Sequence, residues 1–202
     1  MSRSRPYIGS SNKGYRMLRL TTIVVAILLL AGTPASATEA GWALLRNGGQ
    51  VLFLVHANAP GSGDPANFDV ENCRTQRNLS DRGRQQARRI GALISARAEP
   101  VEQVYASRYC RTLQTARLAF GDGLVEEMDA LDPPAEDEEA AKSAREEVME
   151  LIRTYSGSGN LVLVTHPESI EALVGVTPRE GEAVIVAPTD EGIHIIGRIV
   201  FN

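Results

Sequence analysis

A three-layer α/β/α sandwich around a mostly parallel central sheet is the fold class the sequence predicts, on three observations. Val51–Val55 (VLFLV) and Leu161–Thr165 (LVLVT) are continuous apolar runs, as expected of strands covered on both faces. Strand-like and helix-like stretches alternate along the chain, which implies parallel strands linked by helices. Both apolar runs end on a histidine, His56 and His166. In sheets of this kind, ligand groups sit just beyond the carboxyl ends of the strands.

The elements follow in order. Gly48-Gly49 precedes the first strand. Residues 57–78 contain Pro60, Gly61, Gly63 and Pro65 and read as a long loop, which in a compact domain is usually functional or disordered. Ser80 caps a helix to about Arg97, with Ala87, Ile90, Leu93 and Ile94 on one face. A short strand spans Gln103–Ala106, and a second helix spans Arg108–Phe120, ended by Gly121 and Gly123. Leu124–Met128 reads as another strand. Asp132-Pro133-Pro134 then opens an acidic helix to about Tyr155, with proline in its first turn. Beyond Leu161–Thr165, a short helix covers Ser169–Val174, and Ala183–Val186 and Ile193–Val200 close the domain as adjacent strands.

The front of the 202-residue chain has a different character. Arg3, Arg5, Lys13, Arg16 and Arg19 form a basic leader, and no acid appears before Glu39. Leu20–Ala31 is apolar but short for a membrane span, and Ala35-Ser36-Ala37 supplies a small-residue cleavage pattern. Residues 1–37 therefore read as a signal peptide and 38–202 as the mature domain, periplasmic or secreted. An uncleaved membrane anchor is the alternative, and Met17 is an alternative start. Cleavage removes five of the 21 Lys and Arg, leaving 16 against 25 Asp and Glu, a net of −9. An acidic body of this kind has no general affinity for nucleic acid, so any phosphate it handles must meet a local cluster of positive charge.

Two cysteines, Cys73 and Cys110, lie in the exported part. In an oxidising compartment they are candidates for one disulfide, worth roughly 3 to 4 kcal/mol by the loop it closes. Two unrelated buried thiols are the alternative.

A single strand-end histidine is most often structural. Two in matched places point to a site, whereas His194, inside the terminal run IHIIGRI, reads as structural. Arg111 lies near the start of the helix after the strand QVYAS, where free N–H groups favour an anion and a guanidinium fork matches phosphate oxygens. Taken alone, it also fits a helix-surface arginine.

These residues resemble the histidine phosphatase superfamily, whose fold is phosphoglycerate-mutase-like. The resemblance is carried by the two-histidine layout, by SRYCRTLQTA from Ser107 to Ala116, by LVTHPES from Leu163, and by NLSDRGRQQA from Asn78 to Ala87. It runs from about Val51 to His166. The stretches HANAPGSGDPANF and CRTQRNLS resemble an exported bacterial branch. The resemblance implies that His56 takes the phosphoryl group on nitrogen, that Arg111 and His166 hold the phosphate oxygens, and that water then hydrolyses the phosphohistidine with neither metal nor cofactor. The expected ligand is a phosphorylated small molecule or an envelope glycan or glycolipid.

Two departures stand out. The family places arginine directly before the nucleophilic histidine, and this chain has Val55. The family's general acid has no evident counterpart: Asp132 and Glu127 are the candidates, but Asp132 also suits a helix cap and Glu126-Glu127 a solvated strand end. Arg77, with Asn78 beside it, is the candidate phosphate-binding pair that supplies the missing charge, or else Arg77 is a solvated loop arginine. Cys73 and Cys110 flank this loop and the Arg111 helix, so a disulfide there would pin the loop to the pocket wall. The expectation is a slow phosphatase, with a catalytically degenerate phosphate-binding protein as the alternative.

Overall fold

The computed structural model describes residues 36–98 and 100–201. The signal-peptide expectation for residues 1–37 falls almost wholly outside them. Along the described chain run α1 (Ser36–Arg46), β1 (Val51–Val55), α2 (Asp81–Arg97), β2 (Val101–Ala106), α3 (Cys110–Phe120), β3 (Val125–Glu127), α4 (Glu138–Thr154), β4 (Asn160–Thr165), α5 (Pro167–Val174), β5 (Glu182–Thr189) and β6 (Gly192–Val200).

The strands form one sheet in the order β3-β2-β4-β1-β5-β6. β1 and β4 are parallel neighbours, with Val55 opposite Thr165. β2 runs parallel to β4 on one side and to β3 on the other. β5 returns antiparallel to β1, and β6 antiparallel to β5. The sheet is thus mostly parallel, closed on one side by a hairpin.

Why VLFLV is apolar throughout is answered by its position: β1 is central, and every residue of it is buried. Leu52 and Leu54 join Val104, Val162 and Val164 against Trp42 and Leu45 of α1, Ile90 and Ile94 of α2, and Leu113 of α3. Phe53 and Val55 face the other way, with Leu161 and Leu163, against Val148 and Ile152 of α4 and Ile170 of α5. Helices therefore cover both faces, which is the three-layer sandwich. Each large aliphatic side chain so buried contributes roughly 1.5–3 kcal/mol.

Several boundaries differ from the sequence expectation. α4 begins at Glu138, not at Asp132; Asp137 caps it by accepting from the Ala140 N–H at 2.9 Å. Asp132 instead ends a short turn of 3₁₀ helix and turns its carboxylate inward. α3 starts at Cys110 rather than Arg108, and α5 at Pro167 rather than Ser169. Ser80 does cap α2, accepting from Gly83 N–H at 3.0 Å. The helix α1 goes beyond the elements expected from sequence. It packs on β6 so closely that a Cβ on Gly41 would lie 2.9 Å from the Arg198 carbonyl oxygen.

Candidate active site

Three parallel strands deliver polar groups to one edge of the sheet. His56 follows β1, Ser107 follows β2 and His166 follows β4. The ladder continues for one more bond at each end: His56 N–H donates to Thr165 O at 3.0 Å, and Ser107 N–H to Val164 O at 3.0 Å. All three residues are essentially excluded from solvent. The two imidazole rings lie 5.5 Å apart, centroid to centroid.

His56 has its Nδ1 2.9 Å from the carbonyl oxygen of Ala57. A carbonyl only accepts, so Nδ1 carries the proton and Nε2 keeps its lone pair. That Nε2 is buried and has no hydrogen-bond partner. Burial, together with the nearby Arg111 guanidinium, lowers the His56 pKa from 6.5 to about 4, although the Ala57 carbonyl pulls the other way. The imidazole is therefore neutral at ordinary pH, with one nitrogen available.

The backbone beyond His56 is held on several sides. Ala57 N–H donates to Thr115 Oγ1 at 2.9 Å, and Asn58 N–H to Gln86 Oε1 at 2.9 Å. Asn58 Nδ2 and Ala59 N–H both donate to the Glu180 carboxylate, at 2.8 and 3.2 Å. Gly83 on α2 passes so near that a Cβ there would lie 2.1 Å from Asn58 O, which only glycine permits.

Arg111 is the second residue of α3 and is buried. Its Nη1 lies 3.1 Å from both oxygens of Asp64, and its Nη2 donates to His166 Nδ1 at 3.2 Å. Its Nε has no partner. Burial lowers the guanidinium's pKa and Asp64 opposes that fall. His166 is pushed well below its ordinary value, by burial first and by the Arg111 charge second.

Arg77 enters from the long loop. Its Nη1 donates to Gly61 O at 2.8 Å, its Nε is buried without a partner, and its charge depresses the pKa of both histidines. Asp64 is fixed beside it by accepting from the Arg77 backbone N–H at 2.8 Å. The loop is tied to α3 by the Cys73–Cys110 disulfide, with Cα atoms 5.7 Å apart, and by Cys110 N–H donating to Gln76 Oε1 at 2.9 Å. Phe68 stacks on Tyr109 at 4.9 Å, and Tyr109 in turn packs edge-on to His166 at 4.9 Å. Beyond Tyr109 opens a cleft of about 700 Å³, lined by Arg108, Asp132, Pro133, Lys142 and Ser169 among others.

The structure thus brings His56, His166, Arg111 and Arg77 together. It does not bring Asn78 with them, because that amide donates to Cys73 O and Gln76 O within the loop. Glu127 sits on outer strand β3 and accepts from Arg117 at 3.3 Å, away from the histidines. Asp132 reaches His166 only through Ser107. Val55 is fully buried in the apolar layer on the α4–α5 side and offers no donor. Sequence reasoning missed Asp64 and Ser107. Asp64, in GSGDP, carries the signal of a turn residue, while Ser107 held one usable clue, its place directly after a strand.

A family model described as the histidine phosphatase superfamily (branch 1) matches residues 70–132. That segment contains Arg77, Ser107, Arg111 and Asp132, and lies between the two histidines. Solved structures share the fold. The protein histidine phosphatase SixA complexed with tungstate is 18% identical with a TM-score of 0.53, over 74% of this chain and 96% of that one. A mutant phosphoserine phosphatase from Entamoeba histolytica, in complex with phosphoserine, is 13% identical with a TM-score of 0.55, over 76% and 98%. YhfR from Bacillus stearothermophilus is 15% identical with a TM-score of 0.52, over 73% and 95%. The fold is that of the phosphoglycerate-mutase-like phosphatases. The resemblance to the histidine phosphatase superfamily, read from the sequence, stands. No curated protein matches the chain.

Proposed function

We propose that this chain hydrolyses phosphomonoesters through a phosphohistidine formed on His56. The observation that carries the reading is the state of that ring: Nδ1 tied to the Ala57 carbonyl, Nε2 buried, unpartnered and neutral among cationic groups. A lone pair so oriented attacks phosphorus. The N–P bond forms as the ester P–O bond breaks, and the leaving oxygen takes a proton from solvent water. Water then attacks the phosphohistidine, the N–P bond breaks, and inorganic phosphate leaves. Arg111 and Arg77 balance the charge on the phosphoryl oxygens, and His166, neutral in the free protein, lies beside them as a hydrogen-bonding partner. The expected substrate is a phosphorylated small molecule, or a phosphorylated envelope glycan or glycolipid if the chain is exported.

Two features support a slow enzyme. Val55 supplies no guanidinium where relatives carry one, and loss of one preorganised charged donor typically lowers rates by about 10²–10³. Arg111 is in addition already engaged by Asp64. Those same features favour the second reading, a degenerate member that binds a phosphorylated ligand without turning it over.

Rapid quench with p-nitrophenyl phosphate separates the two. Acid-labile phosphate on the protein, absent in His56→Ala, supports the enzyme. Tight vanadate binding with neither label nor turnover supports the binding protein.

Export is part of the same proposal. The basic leader, the apolar run and Ala35-Ser36-Ala37 favour cleavage after Ala37, and the disulfide suits an oxidising compartment. Protein recovered from a periplasmic fraction should begin at Thr38; a full-length chain in the membrane fraction would refute cleavage.

A further inference from the structure

His166 is held from both sides. On one side Arg111 Nη2 lies 3.2 Å from Nδ1. A guanidinium has no acceptor, so Nδ1 must accept and the imidazole proton must reside on Nε2. On the other side Nε2 lies 2.9 Å from Ser107 Oγ, which therefore receives that proton's hydrogen bond. The serine hydroxyl then donates onward to Asp132 Oδ1 at 2.8 Å. Each group in this line has one role open to it.

Asp132 is fixed well beyond what a surface loop needs. Arg108 gives Oδ1 its backbone N–H at 2.9 Å and gives Oδ2 both Nε and Nη2, at 2.9 and 2.7 Å. Ser169 Oγ donates to the Asp132 carbonyl at 2.9 Å, and Thr165 Oγ1 donates to the neighbouring Leu131 carbonyl at 2.5 Å. Ser107 is equally constrained, since Thr112 Oγ1 donates to its carbonyl at 2.7 Å and its own N–H continues the β2–β4 ladder. A network in which the side chains of His166, Ser107 and Asp132 are all hydrogen-bonded orients these groups and resists alternatives.

We infer that Ser107 and Asp132 are positioning residues: they hold the His166 proton on Nε2 and so present the Nδ1 edge of the ring to the phosphoryl pocket beside Arg111. When one oxygen of a phosphate monoanion takes the Arg111 N–H, Nδ1 is released to accept the proton of that monoanion's P–OH group, leaving the phosphoryl group dianionic. The resulting imidazolium keeps its Nε2–H on the serine and, beyond it, on a carboxylate. The positioning stands on geometry alone; what the positioned ring does rests on the phosphoryl-transfer reading.

The test joins a spectroscopic with a kinetic readout. In ¹⁵N-labelled protein the His166 Nε2 proton should appear as a slowly exchanging imidazole N–H signal, shielded from solvent at both ends. Ser107→Ala, which deletes one oxygen, should remove or strongly shift that signal, and Asp132→Asn, of the same shape, should shift it. Ser107→Thr, which restores the hydroxyl, should bring it back. With p-nitrophenyl phosphate, Ser107→Ala should lower kcat about tenfold, roughly the worth of one buried hydrogen bond, with KM little changed, and Ser107→Thr should recover most of the loss. A folded Ser107→Ala and a folded Asp132→Asn that both leave the imidazole signal where it was overturn the positioning role. Signals that move as expected, in a protein that never turns over substrate, leave the positioning intact and refute the phosphatase reading instead.

Discussion

Asp64 lies against Arg111 with both carboxylate oxygens 3.1 Å from Nη1, so the pocket's principal cation already holds an anion supplied by the chain itself. Both side chains are largely buried, at 16% and 5% exposure, which makes the pair hard to break from one side only. A phosphate entering the pocket must displace Asp64 or accept the remaining N–H groups.

Replacing Asp64 with asparagine therefore has two opposed effects. Removing one partner of a buried pair leaves an uncompensated charge, which costs about 3 kcal/mol. Chemical denaturation in phosphate-free buffer should report that loss. Calorimetric titration with vanadate should show binding tightened by about tenfold or more, because Arg111 is free, and saturating vanadate should restore part of the lost stability. Unchanged vanadate affinity would mean that Asp64 and the ligand do not compete.

Acid should destabilise the fold in a defined window. The folded-state pKa of His56 is lowered from 6.5 to about 4, so above pH 6.5 both the folded and the unfolded chain carry it neutral. As the pH falls from 6.5 towards 4 the unfolded chain takes up a proton that the folded one refuses, and stability drops by on the order of 3 kcal/mol for this group. His166, also lowered, adds to the slope. Unfolding free energies measured between pH 7 and 4 should fall accordingly, and His56→Gln should flatten the curve by about one proton.

Reduction tests the Cys73–Cys110 link. Both thiols should resist alkylation in the native protein and label once reduced. The reduced protein should lose roughly 3 to 4 kcal/mol by the chain-entropy argument. Because the bridge ties the Arg77 loop to the start of α3, vanadate should also bind more weakly. Reduction that lowers the Tm but leaves vanadate affinity intact would confine the bridge to stability.

Val55→Arg addresses the family's missing guanidinium. The site is fully buried and apolar, so circular dichroism and thermal melting must first establish that the variant folds. Turnover of p-nitrophenyl phosphate should then rise by at least about tenfold, and His56→Ala in that background should abolish the gain. A folded variant with unchanged activity and unchanged vanadate binding would favour the binding protein over the enzyme.

Much of this site was legible in the chain because periodicity and position carry it. VLFLV and LVLVT suit central strands, and if the two run parallel a histidine after each lies at the same sheet edge, as the structure shows. The position of Arg111 followed from the helix that β2 feeds. Asp132 was misplaced because an acid before two prolines looks like a helix cap, while the true cap, Asp137, sits among other acids and has no distinct signal. Asp64 was hidden for a different reason. Its partner is 47 residues away, and no local pattern announces an ion pair formed by a loop folding back over a helix. Ser107 is equally silent, since its importance lies in what stands on either side of it in space.

The direction of the strands also gives the pocket a handedness. β1 has a parallel neighbour on one side and an antiparallel one on the other, so the segment leading into β5 arrives at the very edge that β1 and β4 leave. Gly181 N–H donates to His56 O at 3.0 Å there, and Glu180 grips Asn58 and Ala59. Chain therefore fills the β5 flank of His56. The open cleft lies on the other flank, past Tyr109 and under α4. On the phosphatase reading, the group that a phosphoester loses at His56 would find its room on the side away from β5, and substitutions at Arg108, Pro133 or Lys142 would change which leaving groups fit without touching the atoms that react.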